Sequence, residues 1–174
     1  MSDERFPIGK FTPAQQLSSG DRGAAIEQIA AAPANFRRAV AGLDDAQLDT
    51  PYRAGGWTVR QVAHHLPDSH MNAYMRFKWG LTEDAPTIKT YEEKDWAQTP
   101  ETTAPIASSL DLLTALHTRW VNLLRGMGPT DFARIVKHPE LGTIALDTLV
   151  GLYAWHGRHH TAHVTSLRQR MGWD

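Results

Sequence analysis

Apolar residues recur with a helical period in four stretches of the chain and lose it in the segments between them. From Arg22 to Leu43, the residues Ile26, Ile29, Ala30, Phe36, Val40 and Leu43 fall on one arc of a helical wheel. Asp21 stands before this stretch as a natural N-cap, and Pro33 predicts a kink or break near Ala32. A second stripe, Val59, Val62, Ala63, Leu66, Ala73 and Phe77, predicts a helix from Val59 to about Leu81 with Thr58 as its cap. Pro67 lies inside it and should kink it, since proline lacks a donor and crowds the carbonyl of Ala63. The third helix, from about Ile106 to Met127, follows from Leu110, Leu113, Leu116, Trp120, Leu123 and Leu124, and Gly126 and Gly128-Pro129 end it. A fourth begins near Asp147 and reaches about Met171, before Gly172.

The segments between are distinct in kind. Residues 1–20, with Pro7, Gly9, Pro13 and Gly20, read as an irregular arm, and 44–56 as a connector ending in Gly55-Gly56. Residues 82–105 carry Pro86, Pro100 and Pro105. A structureless loop of that length is uncommon in a compact domain and marks a lid or binding segment, with Tyr91 and Trp96 as candidates to pin it. Ile135-Val136 and Thr143-Ile144-Ala145 flank His138-Pro139-Glu140-Leu141-Gly142, the pattern of a short β-hairpin that needs helices to pack on. The expected fold is one domain over 1–174, an all-α four-helix bundle with a short β-hairpin before the last helix.

Composition narrows the function. The chain has 174 residues, 41% of them apolar, with 18 basic against 19 acidic side chains. That balance lacks the basic face a nucleic-acid binder needs. Cysteine is absent, which excludes disulfides and thiolate metal sites and suits a reducing compartment. The N-terminus has no secretory pattern, and no apolar run approaches the roughly 18 residues of a membrane span. A soluble cytoplasmic protein is expected.

The unusual count is nine histidines, of which His64, His65, His70, His156, His159, His160 and His163 form two clusters. On the last helix Leu149, Tyr153, His156, His160, His163 and Leu167 follow one another at intervals of four, three, four, three and four. His156 and His160 therefore share a face one turn apart, a spacing from which two imidazoles can meet one ion. A water-filled cleft would satisfy the same ring nitrogens, so periodicity alone leaves both readings open. A third ligand must come from another helix. Adjacent residues point about 100° apart, and His65 borders the second helix's apolar stripe whereas His64 points away. His70 reads as structural or pocket-lining, and His117 and His138 as solvated positions. His159 sits toward the edge of the stripe, and His163 is placed to line a pocket.

Two segments carry a family resemblance: Gly56-Trp57-Thr58-Val59-Arg60-Gln61-Val62-Ala63-His64-His65-Leu66 and Trp155-His156-Gly157-Arg158-His159-His160-Thr161-Ala162-His163. Together they resemble the DinB superfamily, and within it the YfiT-like branch of metal-dependent hydrolases; Phe6-Pro7-Ile8-Gly9-Lys10-Phe11 fits that branch too. The resemblance spans essentially the whole chain. It implies a four-helix bundle, a metal held by His65, His156 and His160, zinc or nickel as that metal, and a homodimer. Some relatives in this branch are similar to bacillithiol- or mycothiol-dependent S-transferases.

Three protein ligands leave a position open for water or a small-molecule substrate, the arrangement of catalytic sites. Hydrolysis is the first expectation. The alternative is conjugation of a low-molecular-weight thiol to an electrophile, and a reading of another class is a non-catalytic, metal-stabilised bundle that binds a small ligand. Gly157 stands where a zincin peptidase has its Glu, so peptidase chemistry is disfavoured; close approach of a neighbouring helix would explain that glycine. Asp68, His159 and His163 are candidates to assist the reaction.

Overall fold

In the computed structural model, which describes residues 3–14 and 16–173, ten elements follow one another. They are α1 (Ser19–Val40), α2 (Asp45–Leu48), α3 (Val59–Thr82), α4 (Glu93–Trp96), a 3-10 turn (Pro100–Thr103), α5 (Ala107–Gly126), α6 (Pro129–Phe132), β1 (Ile135–His138), β2 (Gly142–Ala145) and α7 (Leu146–Met171). The four long helices form the bundle. α1 packs against α7 and α5, and α3 against α5 and α7, so the first two long helices face each other across the diagonal.

Two apolar cores sit at opposite ends. One gathers Ile26 and Ile29 of α1, Ala73 and Phe77 of α3, Trp120 and Leu124 of α5, and Leu149 and Tyr153 of α7. The other gathers Phe36 and Val40, then Val59, Val62 and Leu66, then Leu110 and Leu113, then Val164 and Leu167 of the same four helices. The first core takes the beginnings of α1 and α7 but the ends of α3 and α5. Hence α1 and α7 run one way and α3 and α5 the other, an up-down-down-up order.

That order explains the long central connection. Because α5 runs parallel to α3, the chain must return along a bundle whose 24-residue α3 is about 36 Å long. The return is not structureless as expected: it contains α4 and the 3-10 turn. Trp96 remains 40% exposed, so it covers Tyr91 (ring centroids 4.5 Å apart) without anchoring the segment in the core. Ile88 anchors it in the core instead, and polar side chains of α3 tie down its backbone: Arg76 donates to the Lys89 carbonyl at 3.0 Å, and Gln61 to that of Ala97 at 2.8 Å.

Local chemistry sets the helix ends. Thr58 and Gln61 close a capping box on α3. α1 begins at Ser19 rather than Arg22, because Ser18 and not Asp21 is the cap; its Oγ accepts from the Asp21 N–H at 3.1 Å. It also ends at Val40, three residues before Leu43. Pro33 does not break it, and α3 continues through Pro67. A proline removes one hydrogen bond from a helix, and packing on both sides outweighs that loss: Pro33 and Pro67 are both buried.

The hairpin forms as expected, with Ile135 opposite Ala145 and His138 opposite Gly142. Fully buried Val136 ties it to the helices, its Cγ1 reaching 3.1 Å from where a Cβ on Gly80 would stand. The arm is irregular but fixed along α7. The Leu17 N–H donates to Asp147 at 2.7 Å, Thr148 donates to the Ala14 carbonyl at 2.9 Å, and Trp155 to that of Gly9 at 3.1 Å. Met1, Ser2 and Gln15 lie outside the described residues. No helix among the described residues is long and apolar enough to cross a membrane.

Candidate metal site

Between the two apolar cores lies a layer of histidines. On α3 it runs from His65, beside Leu66, to His70, ahead of Ala73; on α5 it falls between Leu113 and Trp120, and on α7 between Ala154 and Val164. In that layer His65, His156 and His160 each present a ring nitrogen, and these atoms lie within 4.8 Å of one another. Ring centroids are 4.5 Å apart for His156 and His160, 4.9 Å for His65 and His160, and 5.4 Å for His65 and His156.

The group fits a divalent ion in three respects. His65 Nε2 and His156 Nε2 face each other at 3.4 Å. Ligand bonds of 2.0–2.1 Å at tetrahedral angles place two nitrogens roughly 3.3 Å apart, so the separation suits shared coordination. The buried His160 Nδ1 has no hydrogen-bond partner among the described residues. Finally, all three rings are held neutral. Burial, then the nearby His159, lowers His65 to about 4, and burial drives His156 and His160 well below the ordinary histidine value. Neutral imidazole is the form that binds metals. No carboxylate joins the group among the described residues, so a bound ion would keep open positions.

The other candidates are placed as follows. His159 stacks on Trp155 at 4.2 Å and His163 on Tyr52 at 3.9 Å, with ring centroids 5.1 Å and 5.3 Å from that of His160. Burial lowers both to about 4, and each keeps a buried Nδ1 without a hydrogen-bond partner among the described residues. Asp68 is half-buried and raised to about 6, by burial first and then by Glu101. It stands outside the three-histidine group.

His64 points away from the group, as its helix phase predicts, yet it is buried: its Nδ1 meets Ser109 Oγ at 2.7 Å, and its Nε2 donates to the Ala104 carbonyl at 3.1 Å. His117 is a correction. Expected to be solvated, it is 2% exposed, donates from Nδ1 to the Ile29 carbonyl at 2.7 Å, and meets His70 Nδ1 with its Nε2 at 2.7 Å. It lies on the buried stripe of α5 with Leu110, Leu113, Trp120 and Leu124. His138, also expected to be solvated, is half-buried and borders the pocket described next. Gly157 meets the expectation of close helix approach: a Cβ there would stand 3.0 Å from Ala32 Cβ and 3.7 Å from His70 Cε1.

A cavity of about 410 Å³ reaches His156, lined among others by Ser69, Arg76, Tyr91, Glu93 and Tyr153. Arg76 is buried in its wall, donating to Tyr153 Oη at 2.9 Å. Sequence reasoning passed over both residues, although Tyr153 sits on the stripe that carries His156 and His160.

The chain is similar to several known proteins. A protein of Bacillus mycoides strain KBAB4, named "putative metal-dependent hydrolase", is 52% identical over 99% of this chain and 100% of its own length. A Bacillus cereus strain B4264 protein of the same description is 51% identical over the same shares. Among solved structures, YfiT from Bacillus subtilis, described as "a probable metal-dependent hydrolase with an unusual four-helix bundle topology", superposes with a TM-score of 0.95 at 46% identity. That match covers 98% of this chain and 99% of YfiT. TT2238, described as a four-helix bundle protein, shares the fold at 19% identity and a TM-score of 0.55, over 80% of this chain and 94% of its own. The sequence profile of the DinB superfamily matches residues 28–164. On this evidence the chain belongs to the DinB superfamily.

Proposed function

We propose that the protein is a metal-dependent hydrolase whose divalent ion is held by His65, His156 and His160. The observation that carries this reading is the meeting of three neutral, inward-facing imidazoles from two helices, each with a nitrogen within 4.8 Å of the others, at the end of a cavity. The names of the relatives support the reaction class.

When bound, a divalent ion supplies Lewis acidity to a water and to the oxygen of a scissile group. The protein's own residues do the rest. His65, His156 and His160 stay unprotonated well below neutral pH, so the donor set persists through the physiological range. Arg76 is steadied by Tyr153 and the Lys89 carbonyl and sets a fixed positive charge in the cavity wall. Asp68, raised by burial to about 6, can exchange a proton near neutrality, and Glu93 of the cavity wall is raised by burial as well. His159 and His163 border His160 and keep that side of the site uncharged. Zinc or nickel suits the imidazole set.

The test is elemental analysis of protein purified without a histidine tag, then turnover of ester, amide and phosphoester panels before and after chelation. A stoichiometric ion that is lost in His156→Ala, with turnover lost on chelation and restored by metal, is the expected result. Turnover that survives complete metal removal overturns the proposal. Adding thiols with electrophiles to the panel identifies conjugation if hydrolysis fails, and a bundle that melts on chelation without any turnover identifies a structural ion.

A further inference from the structure

The remaining buried histidines of the layer form a directed chain. The carbonyl of Ile29 lies four residues before Pro33, the position whose N–H would normally occupy it in α1. Proline has no N–H, so this carbonyl is left free inside the bundle. His117 Nδ1 of α5 reaches it at 2.7 Å. A carbonyl only accepts, so His117 Nδ1 must carry the proton.

The polarity then propagates. His117 is neutral, lowered by burial to about 4, so its Nε2 is bare. That Nε2 lies 2.7 Å from His70 Nδ1 of α3, which must therefore donate. His70 is fully buried with both ring nitrogens facing other imidazoles and no carboxylate in hydrogen-bond contact, so it too is neutral, leaving its Nε2 to accept from His156 Nδ1 at 3.0 Å. With its only proton on Nδ1, His156 presents a bare Nε2 to the three-histidine group. The chain runs through all four long helices, α1, α5, α3 and α7, in three hydrogen bonds.

We propose that His117 and His70 are positioning residues that transmit a fixed proton arrangement from the Ile29 carbonyl to His156, so that His156 Nε2 is held as a ready metal donor. The inference rests on His156 being a ligand, as proposed above. Outer partners of metal-bound histidines commonly orient the ring and fix its tautomer. Here a carbonyl freed by a proline sets that tautomer through two intervening histidines.

The primary test needs no variant and no metal. Two-bond proton–nitrogen spectra of imidazole-labelled, metal-free protein report which nitrogen of each ring is protonated. His117, His70 and His156 should all carry the proton on Nδ1, the reverse of the form a free histidine side chain favours. A His156 ring protonated on Nε2 overturns the proposal. Chelator competition for zinc supplies the second readout. His117→Leu should weaken zinc binding roughly ten- to a hundredfold and mix the His156 tautomers. His117→Gln, whose amide can donate to Ile29 and accept from His70, should recover most of that loss. A folded His117→Leu that binds zinc like the parent with an unchanged His156 spectrum also overturns the proposal. If the leucine variant does not fold, the parent spectrum and His117→Gln decide. Failure of the parent to bind zinc sinks the ligand assignment instead, and the spectrum distinguishes the two failures.

Discussion

His70 and His160 are both buried histidines in the same layer, but they use their nitrogens in opposite ways. His70 has both in hydrogen bonds, and so do His64 and His117. His160 keeps a buried Nδ1 without a partner among the described residues, and so do His159 and His163. Burial does not separate the sets, since His64 is 5% exposed and His117 2%, against 7% for His160 and 2% for His163. The difference is completeness. A buried polar ring whose donors and acceptors are all met is framework, whereas one left open marks where something else belongs. His156 joins the two sets, with Nδ1 in the closed chain and Nε2 in the open group.

Removing an open-set ligand should have the largest effect on metal. His160→Ala is expected to lose zinc affinity well beyond the roughly hundredfold that follows loss of an outer partner, as read by elemental analysis after dialysis. The same change should leave the bundle folded, since both apolar cores lie outside the layer. Retained stoichiometric metal would move His160 out of the ligand set.

A closed polar pair remote from the layer provides the contrast. Asp147, 2% exposed, binds Arg22 at 2.7 Å and accepts from the Leu17 N–H. Asp147→Ala leaves the half-buried Arg22 guanidinium without its carboxylate and should cost about 3 kcal/mol of stability in chemical denaturation. Zinc affinity of the folded fraction should stay at the parent value. A matching fall in affinity would mean that the two systems are coupled.

Acid should act on both sets at once in the metal-free protein. His65 and His117 fall from 6.5 in the unfolded chain to about 4 in the fold. The unfolded chain therefore binds more protons between those values, and stability is complete above 6.5 and lost as pH falls toward 4. Each ring contributes about 3 kcal/mol at full effect. Urea midpoints measured across that window should drop steadily, and zinc should deepen the dependence because protons compete for the same nitrogens. A flat midpoint would mean that the rings are more hydrated than the fold indicates.

The smallest effect is steric. Gly157→Ala gains about 1 kcal/mol of helix propensity but presses a methyl to 3.0 Å from Ala32 Cβ. Both carbons are fixed to helix backbones, so α1 must give way. A net loss of about 1 kcal/mol is expected, with a Tm a few degrees lower. A rise in Tm would show that α1 yields freely.

Helix phase and resemblance brought His65, His156 and His160 together from sequence, because helical period is a local property that a stripe of residues displays directly. His117 carried the same signal, sitting at intervals of four and three between Leu113 and Trp120. Leu116, only half-buried, drew the stripe to one side of it. What no local pattern could supply was its acceptor, a carbonyl 88 residues away. Pro33 shows the same limit. Read along the chain it is a defect in a helix; across the bundle it frees an acceptor. The crossing segment after α3 looked structureless because its length follows from helix direction, which periodicity does not encode.

The arm ahead of α1 carries a practical consequence. Arg5, Gly9, Ala14 and Leu17 each form a hydrogen bond with α7, the helix that supplies His156 and His160, and Phe6 and Phe11 lie against His159 and Trp155. An expression boundary drawn at Ser18 would keep every long helix yet uncover those two rings. The working unit of this protein extends past its secondary structure, and Arg5, Phe6, Gly9, Phe11, Ala14 and Leu17 should be kept in any shortened form.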